Sequence, residues 1–157
     1  MDLDFVKNHI RNRPYMSGVE RDKVRVKQTE EIFTPTDVVI ENLNLFEKEN
    51  PECFSDPTKT FLDNCAGDGQ WLGEVLIRKM ENGIDFETAL STIYGVDLME
   101  DNVKLCQDRL LCGRENLRHI VEQNIVCANA LEYDYSFNGT NQTWKEAHFE
   151  NLFEEIG

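Results

Sequence analysis

The stretch that decides the fold is residues 60–73, Thr60-Phe61-Leu62-Asp63-Asn64-Cys65-Ala66-Gly67-Asp68-Gly69-Gln70-Trp71-Leu72-Gly73. A short apolar strand runs into an acid, a tight glycine turn follows, and a helix opens at Gln70. In α/β folds this succession cradles a nucleotide-like molecule above the carboxyl end of a strand. The dinucleotide fingerprint would carry a third glycine where Leu72 stands, so that class is excluded. The plainer alternative is a βα turn that needs glycine only to change direction.

An acid at a strand end, followed by small residues, suits S-adenosyl-L-methionine (SAM). SAM has no phosphate, but its ammonium and sulfonium favour nearby carboxylates and carbonyls. Upstream, the run Glu31-Ile32-Phe33-Thr34-Pro35-Thr36-Asp37 is a helix start. Thr34 is the expected N-cap, Pro35 the first helical residue, and Asp37 completes a capping box. Val39, Leu43 and Phe46 then share one face. A helix N-terminus also offers free N–H groups to a carboxylate such as that of a methionine moiety. Downstream, Thr92–Asp97 reads as a second strand and Asn124–Ala128 as a third.

Helices are expected over 2–10, 70–82, 85–90 and from about Met99 to Gly113. Strands alternating with helices predict an α/β fold with a parallel sheet. The aromatic residues Tyr133, Tyr135 and Phe137 alternate with polar ones, as in a short strand or extended segment. Trp144, His148, Leu152 and Phe153 fall on one face of a closing helix. The expected organisation is a polar lead-in with a short helix over 1–30, a ligand-binding core over 31–137, and a closing helix over 138–157.

In order and spacing, Phe33-Thr34-Pro35, the glycine loop and Ile93-Tyr94-Gly95-Val96-Asp97-Leu98 resemble the class I SAM-dependent methyltransferases. More narrowly, they are similar to the adenine-N6 DNA methyltransferases of restriction–modification systems and their phage relatives. That family carries a Phe-Thr-Pro element, an Asp-Pro-x-Cys-Gly-x-Gly loop, a strand ending Gly-x-Asp/Glu, and a third strand ending near Asp-Ala-Leu. Here the last segment is Asn129-Ala130-Leu131. The resemblance covers about residues 24–137 and departs from the family at Glu30, Asn64, Cys65-Ala66 and Asn129.

The resemblance implies a Rossmann-like SAM-methyltransferase fold cut to about three parallel strands with flanking helices. SAM would be held by Phe33, Thr34 and Pro35, by Asp63, Asn64, Cys65, Ala66, Gly67 and Gly69, and by Asp97, Leu98, Asn129 and Ala130. Asp97 would take the ribose hydroxyls, with N-capping of the next helix as its competing role. Leu98 would pack on the adenine ring and Asn129 would bond its amino group, the competing role of Asn129 being a turn after the strand. Asp68 is expected to face solvent.

The family's catalytic Pro-Pro motif follows a fourth strand. The only prolines here are Pro14, Pro35, Pro51 and Pro57, and Gly157 stands about where that motif would begin. The resemblance therefore supplies the cofactor half and no catalytic residue. It also implies a strand one left at an apolar edge, to be closed by the chain's own end, a second copy or a complementary subunit. The alternatives are a non-catalytic SAM-binding or interaction protein of phage type, and a small-molecule methyltransferase.

Composition narrows the partners. The 157 residues carry a net charge of −14. Sequence-independent DNA binding needs Lys and Arg to neutralise phosphates, so DNA is expected to be met weakly or through a partner. Residues 1–30 alone are net basic, with Arg11, Arg13, Arg21, Lys23, Arg25 and Lys27, which reads first as a solvated face. Five cysteines without a Cys-x-x-Cys pair point to reduced, mostly buried thiols and a cytoplasmic protein. Three scattered histidines give no metal-ligand spacing. The start, MDLDFVKNHI, is acidic and lacks the apolar run of a leader or a membrane span.

Overall fold

The computed structural model describes residues 1–12 and 34–138. The lead-in from residue 13 onward, with Arg13, Arg21, Lys23, Arg25 and Lys27, the Phe33 position and all but the first residue of the closing helix expected over 138–157 lie outside the described residues. The elements are α1 (Leu3–Asn12), α2 (Thr36–Glu49), β1 (Phe61–Asp63), α3 (Gln70–Glu81), α4 (Phe86–Ser91), β2 (Ile93–Asp97), α5 (Glu100–Leu111), a 3-10 turn (Glu115–Leu117), α6 (Arg118–Asn124) and β3 (Ile125–Cys127). The strands form one sheet in the order β1-β2-β3. Both pairings are parallel, with Phe61 opposite Ile93 and Gly95 opposite Ile125. The chain is thus mixed α/β, a small parallel sheet with flanking helices.

Alternation along the strands decides where the helices go, since successive side chains leave opposite faces. Phe61, Ile93, Ile125 and Cys127 belong to the main core, together with Val6 and Ile10 of α1, Val39 and Leu43 of α2, Leu72, Val75 and Leu76 of α3, and Cys106 and Leu110 of α5. Val96 and Val126 point the other way. Among the described residues they are covered by Ala130, Tyr133, Tyr135 and Phe137. Gly95 permits the close approach on the helical face. A Cβ there would stand 2.8 Å from Leu72 Cδ1. Phe61 stacks on Phe54 at 4.9 Å, which anchors the loop after α2 beneath β1.

Several boundaries differ from expectation. Helix α2 begins at Thr36, so Pro35 rather than Thr34 occupies the N-cap, at φ −60° and ψ 149°, and no side chain caps it. A proline donates no N–H and brings no side-chain acceptor, so among the described residues no side chain claims the N–H groups of the first turn. Asp85 does cap α4, accepting from Thr88 N at 3.0 Å. Helix α6 has no forecast in the sequence reading. It is short, and His119, Glu122 and Gln123 dilute its apolar stripe of Leu117, Val121 and Ile125. The extended segment expected at 133–137 is instead irregular, with positive φ at Tyr135 (55°) and Phe137 (45°). Those turns bring both rings to the Tyr133 side, where Tyr135 lies 5.2 Å from Tyr133 and Phe137 lies 5.4 Å from it. Period-two alternation is therefore not what buries them.

Candidate functional site

Strand β1 delivers Asp63 to the carboxyl edge of the sheet, and the loop behind it is sewn to the end of β2. Ala66 N donates to Val96 O at 2.9 Å, and Gly67 N donates to Asp97 Oδ1 at 3.0 Å. Asp63 Oδ1 accepts from Cys65 N at 3.0 Å, which turns the chain. Gly67 (φ 55°) and Gly69 (φ 89°) then occupy the left-handed region and aim the chain into α3. Gly69 is needed for space as well, because a Cβ there would lie 2.8 Å from Cys106 Sγ.

A cleft of about 580 Å³ opens over this loop. Its floor is Asp63 to Asp68, and one wall is the start of α2, with Thr34, Val38, Val39 and Asn42. Leu62, Gln70 and Trp71 complete the lining. Trp71 is fixed by its indole N–H, which donates to Asn42 Oδ1 at 3.0 Å. Of the residues expected to hold a cofactor, the cleft brings together Thr34, Asp63, Asn64, Cys65, Ala66 and Gly67. Pro35, Gly69, Asp97, Leu98, Asn129 and Ala130 are not part of its lining.

Two of these have other work. Asp97 accepts from Gly67 N and from Met99 N, each at 3.0 Å, and from Asn102 Nδ2 at 3.2 Å. Asp97 thus ties the glycine loop to the residues that open α5, whose N-cap is Met99 without a side-chain cap hydrogen bond. Asn129 is a turn residue. Its Oδ1 accepts from Leu131 N at 3.0 Å, and its main-chain oxygen accepts from Glu132 and Tyr133.

Electrostatically the cleft is anionic at its floor. Burial pushes the Asp63 carboxyl up, the Cys65 N–H bond opposes this, and Asp97 adds to it. A cation placed there would relieve the cost of ionising Asp63. Burial, with Asp97 and Asp63 nearby, also raises the Cys65 thiol, the one exposed cysteine, so it stays protonated and unreactive at neutral pH. The other four cysteines are free thiols buried in the core.

Asp68 overturns the expectation that it faces solvent. It is 1% exposed and pairs with the fully buried Arg109 at 3.1 Å. Burial of the loop's second half, Asp68 and Gly69, against α5 explains the difference, since a charged side chain taken from water must find a counter-charge. Arg109, Gln70, Trp71, Asn42 and Val38 are the residues that sequence reasoning missed. Trp71 was legible only as an inward helix position, and Val38 lies off the Val39, Leu43 and Phe46 face. Arg109 sits among apolar α5 residues with no signal beyond its being a charge on a core-facing stripe.

Among the described residues no three His, Cys, Asp or Glu side chains are placed to share a metal ion. Among the same residues, no helix is long and apolar enough to cross a membrane. No protein family, no curated protein and no solved structure matches the chain.

Proposed function

We propose that this cleft binds S-adenosyl-L-methionine, and that the chain is the cofactor-binding half of an adenine-N6-directed, Rossmann-like methyltransferase. One observation carries the reading. The same cleft is lined by Thr34 and Val38, which flank the first turn of α2, a turn that no side chain caps among the described residues, and by Asp63. An α-amino acid end carries the complementary pair, a carboxylate for the helix N–H groups and an ammonium for Asp63. The apolar wall of Val38, Leu62 and Trp71 would receive the rest of the molecule.

The chain's own residues would bind and orient the cofactor. Methyl transfer also needs groups that hold the acceptor amine in line with the sulfonium, and an aromatic to stack an extruded base. No Pro-Pro pair occurs in residues 1–157, and a net charge of −14 is ill-suited to hold DNA by itself. A second copy or a complementary subunit would supply those groups. The acidic charge favours a second reading, a non-catalytic SAM-binding protein that acts by occupying a partner.

Calorimetric titration with SAM tests the site. Wild type should bind, and Asp63→Asn should weaken binding about tenfold, the loss of roughly one charge-assisted contact. Asp63 has a raised pKa, so wild-type affinity for the cation should hold near neutral pH and fall as pH drops through that pKa. The variant should lose that slope. A folded wild type that takes up no SAM sinks the cofactor reading. Binding without methyl transfer in any copurified complex favours the second reading over the first.

A further inference from the structure

Arg109, on the last turn of α5, does not line the cleft, yet it reaches three atoms of the elements that do. Its Nη1 donates to Asp68 O at 3.2 Å and to Asp68 Oδ1 at 3.1 Å, and its Nη2 donates to Gln70 Oε1 at 3.1 Å. Gln70 passes the connection on, because its amide donates to Thr36 Oγ1, the first residue of α2. One fully buried guanidinium thus ties α5 to the glycine loop, and through Gln70 to the opposite wall of the cleft.

A buried ion pair is a poor way to gain stability, since apolar residues of similar volume often serve as well. A planar fork that meets a main-chain carbonyl, a carboxylate and an amide together fixes orientation, which an ammonium on a flexible stem does not. We propose that Arg109 is the positioning residue of this cleft, holding the glycine loop and the start of α2 at the separation that admits the ligand. The ligand's identity as SAM rests on the reading above, but the tie between α5, the loop and α2 does not.

The test uses the full chain in two forms, Arg109→Lys and the double change Arg109→Met with Asp68→Ala. The double change removes both buried charges, so it leaves no orphan ion and should keep the fold. Amide hydrogen exchange is measured without ligand over residues 63–70 and over 39–42, the first hydrogen-bonded amides of α2, and SAM binding by calorimetry. The proposal expects faster exchange in both segments while the thermal midpoint stays near wild type, with SAM binding about tenfold weaker. Arg109→Lys, keeping the charge but losing the fork, should fall between.

Folded variants with wild-type exchange in both segments overturn the proposal, whatever SAM does. Faster exchange in a protein whose wild type binds no SAM upholds the positioning role and rejects the cofactor. Should neither variant fold, Gln70→Met cuts only the link onward from the ion pair. Faster exchange over 39–42 then supports the proposal, and unchanged exchange overturns it.

Discussion

Lys79 shows what a single buried charge does to this molecule. Its side chain is 0% exposed, and Nζ donates to Lys59 O at 2.6 Å and to Thr92 Oγ1 at 2.7 Å, 5.0 Å above the Phe61 ring. Burial lowers its pKa from 10.5 to about 8, against smaller raising effects of Cys53 and Asp56. In the unfolded chain the amine keeps its ordinary pKa and binds more protons between those two values. Wild-type stability should therefore rise as the pH goes from about 8 to 10.5, and carry the full cost of the buried charge below 8. Lys79→Met has no such slope. Urea unfolding of the two proteins at pH 7.5 and 10 should show wild type gaining roughly 1–3 kcal/mol on the variant at the higher pH. An unchanged difference would mean that the amine is solvated. Residues of this kind are the least legible in a sequence. Lys79 and Arg109 were charges on apolar helices, and their partners lie 20 residues away at Lys59 and 41 away at Asp68. Asp97 was legible at the end of its strand, but its bonds to Gly67, Met99 and Asn102 were not.

The elements were easier to read, and for physical reasons. Helix α3 announced itself through the apolar spacing of Leu72, Val75 and Leu76, all fully buried, and through Gly83 just beyond its end at φ 89°. The strands were legible as short β-branched or aromatic runs, because a parallel sheet covered by helices needs little polar alternation. What failed was local. A proline displaced the start of α2, and a weak stripe hid α6. The glycine loop is the junction where element geometry and the cleft meet, so it is where a small change should be felt most. Gly69→Ala places a Cβ in the left-handed region and 2.8 Å from Cys106 Sγ. The expected loss is about 2–3 kcal/mol in a denaturant melt, combining backbone strain and overpacking. Adding Cys106→Ala removes the sulfur but not the strain, so it should return only part of that loss. Full recovery would show that φ costs nothing here.

On the scale of the molecule, charge and sheet order set what the protein can meet. Among the described residues β1 pairs with β2 alone, and Leu62 on it is 47% exposed while lining the cleft. Its edge atoms and apolar flank make a template for another strand. Leu62→Lys should leave the thermal midpoint nearly unchanged, as expected for an exposed position, while abolishing any self-association or subunit capture seen by analytical ultracentrifugation. Retained association would place the contact elsewhere. The strand order has a consequence for how the chain is made. Each strand pairs with the one translated just before it, so the sheet can be laid down from the amino end as the polypeptide leaves the ribosome. Nothing in β1, β2 or β3 has to wait for a later strand to be threaded between earlier ones. The outer side of β1, unpaired among the described residues, is then the oldest surface of the nascent sheet, and a chain synthesised elsewhere would find it already formed.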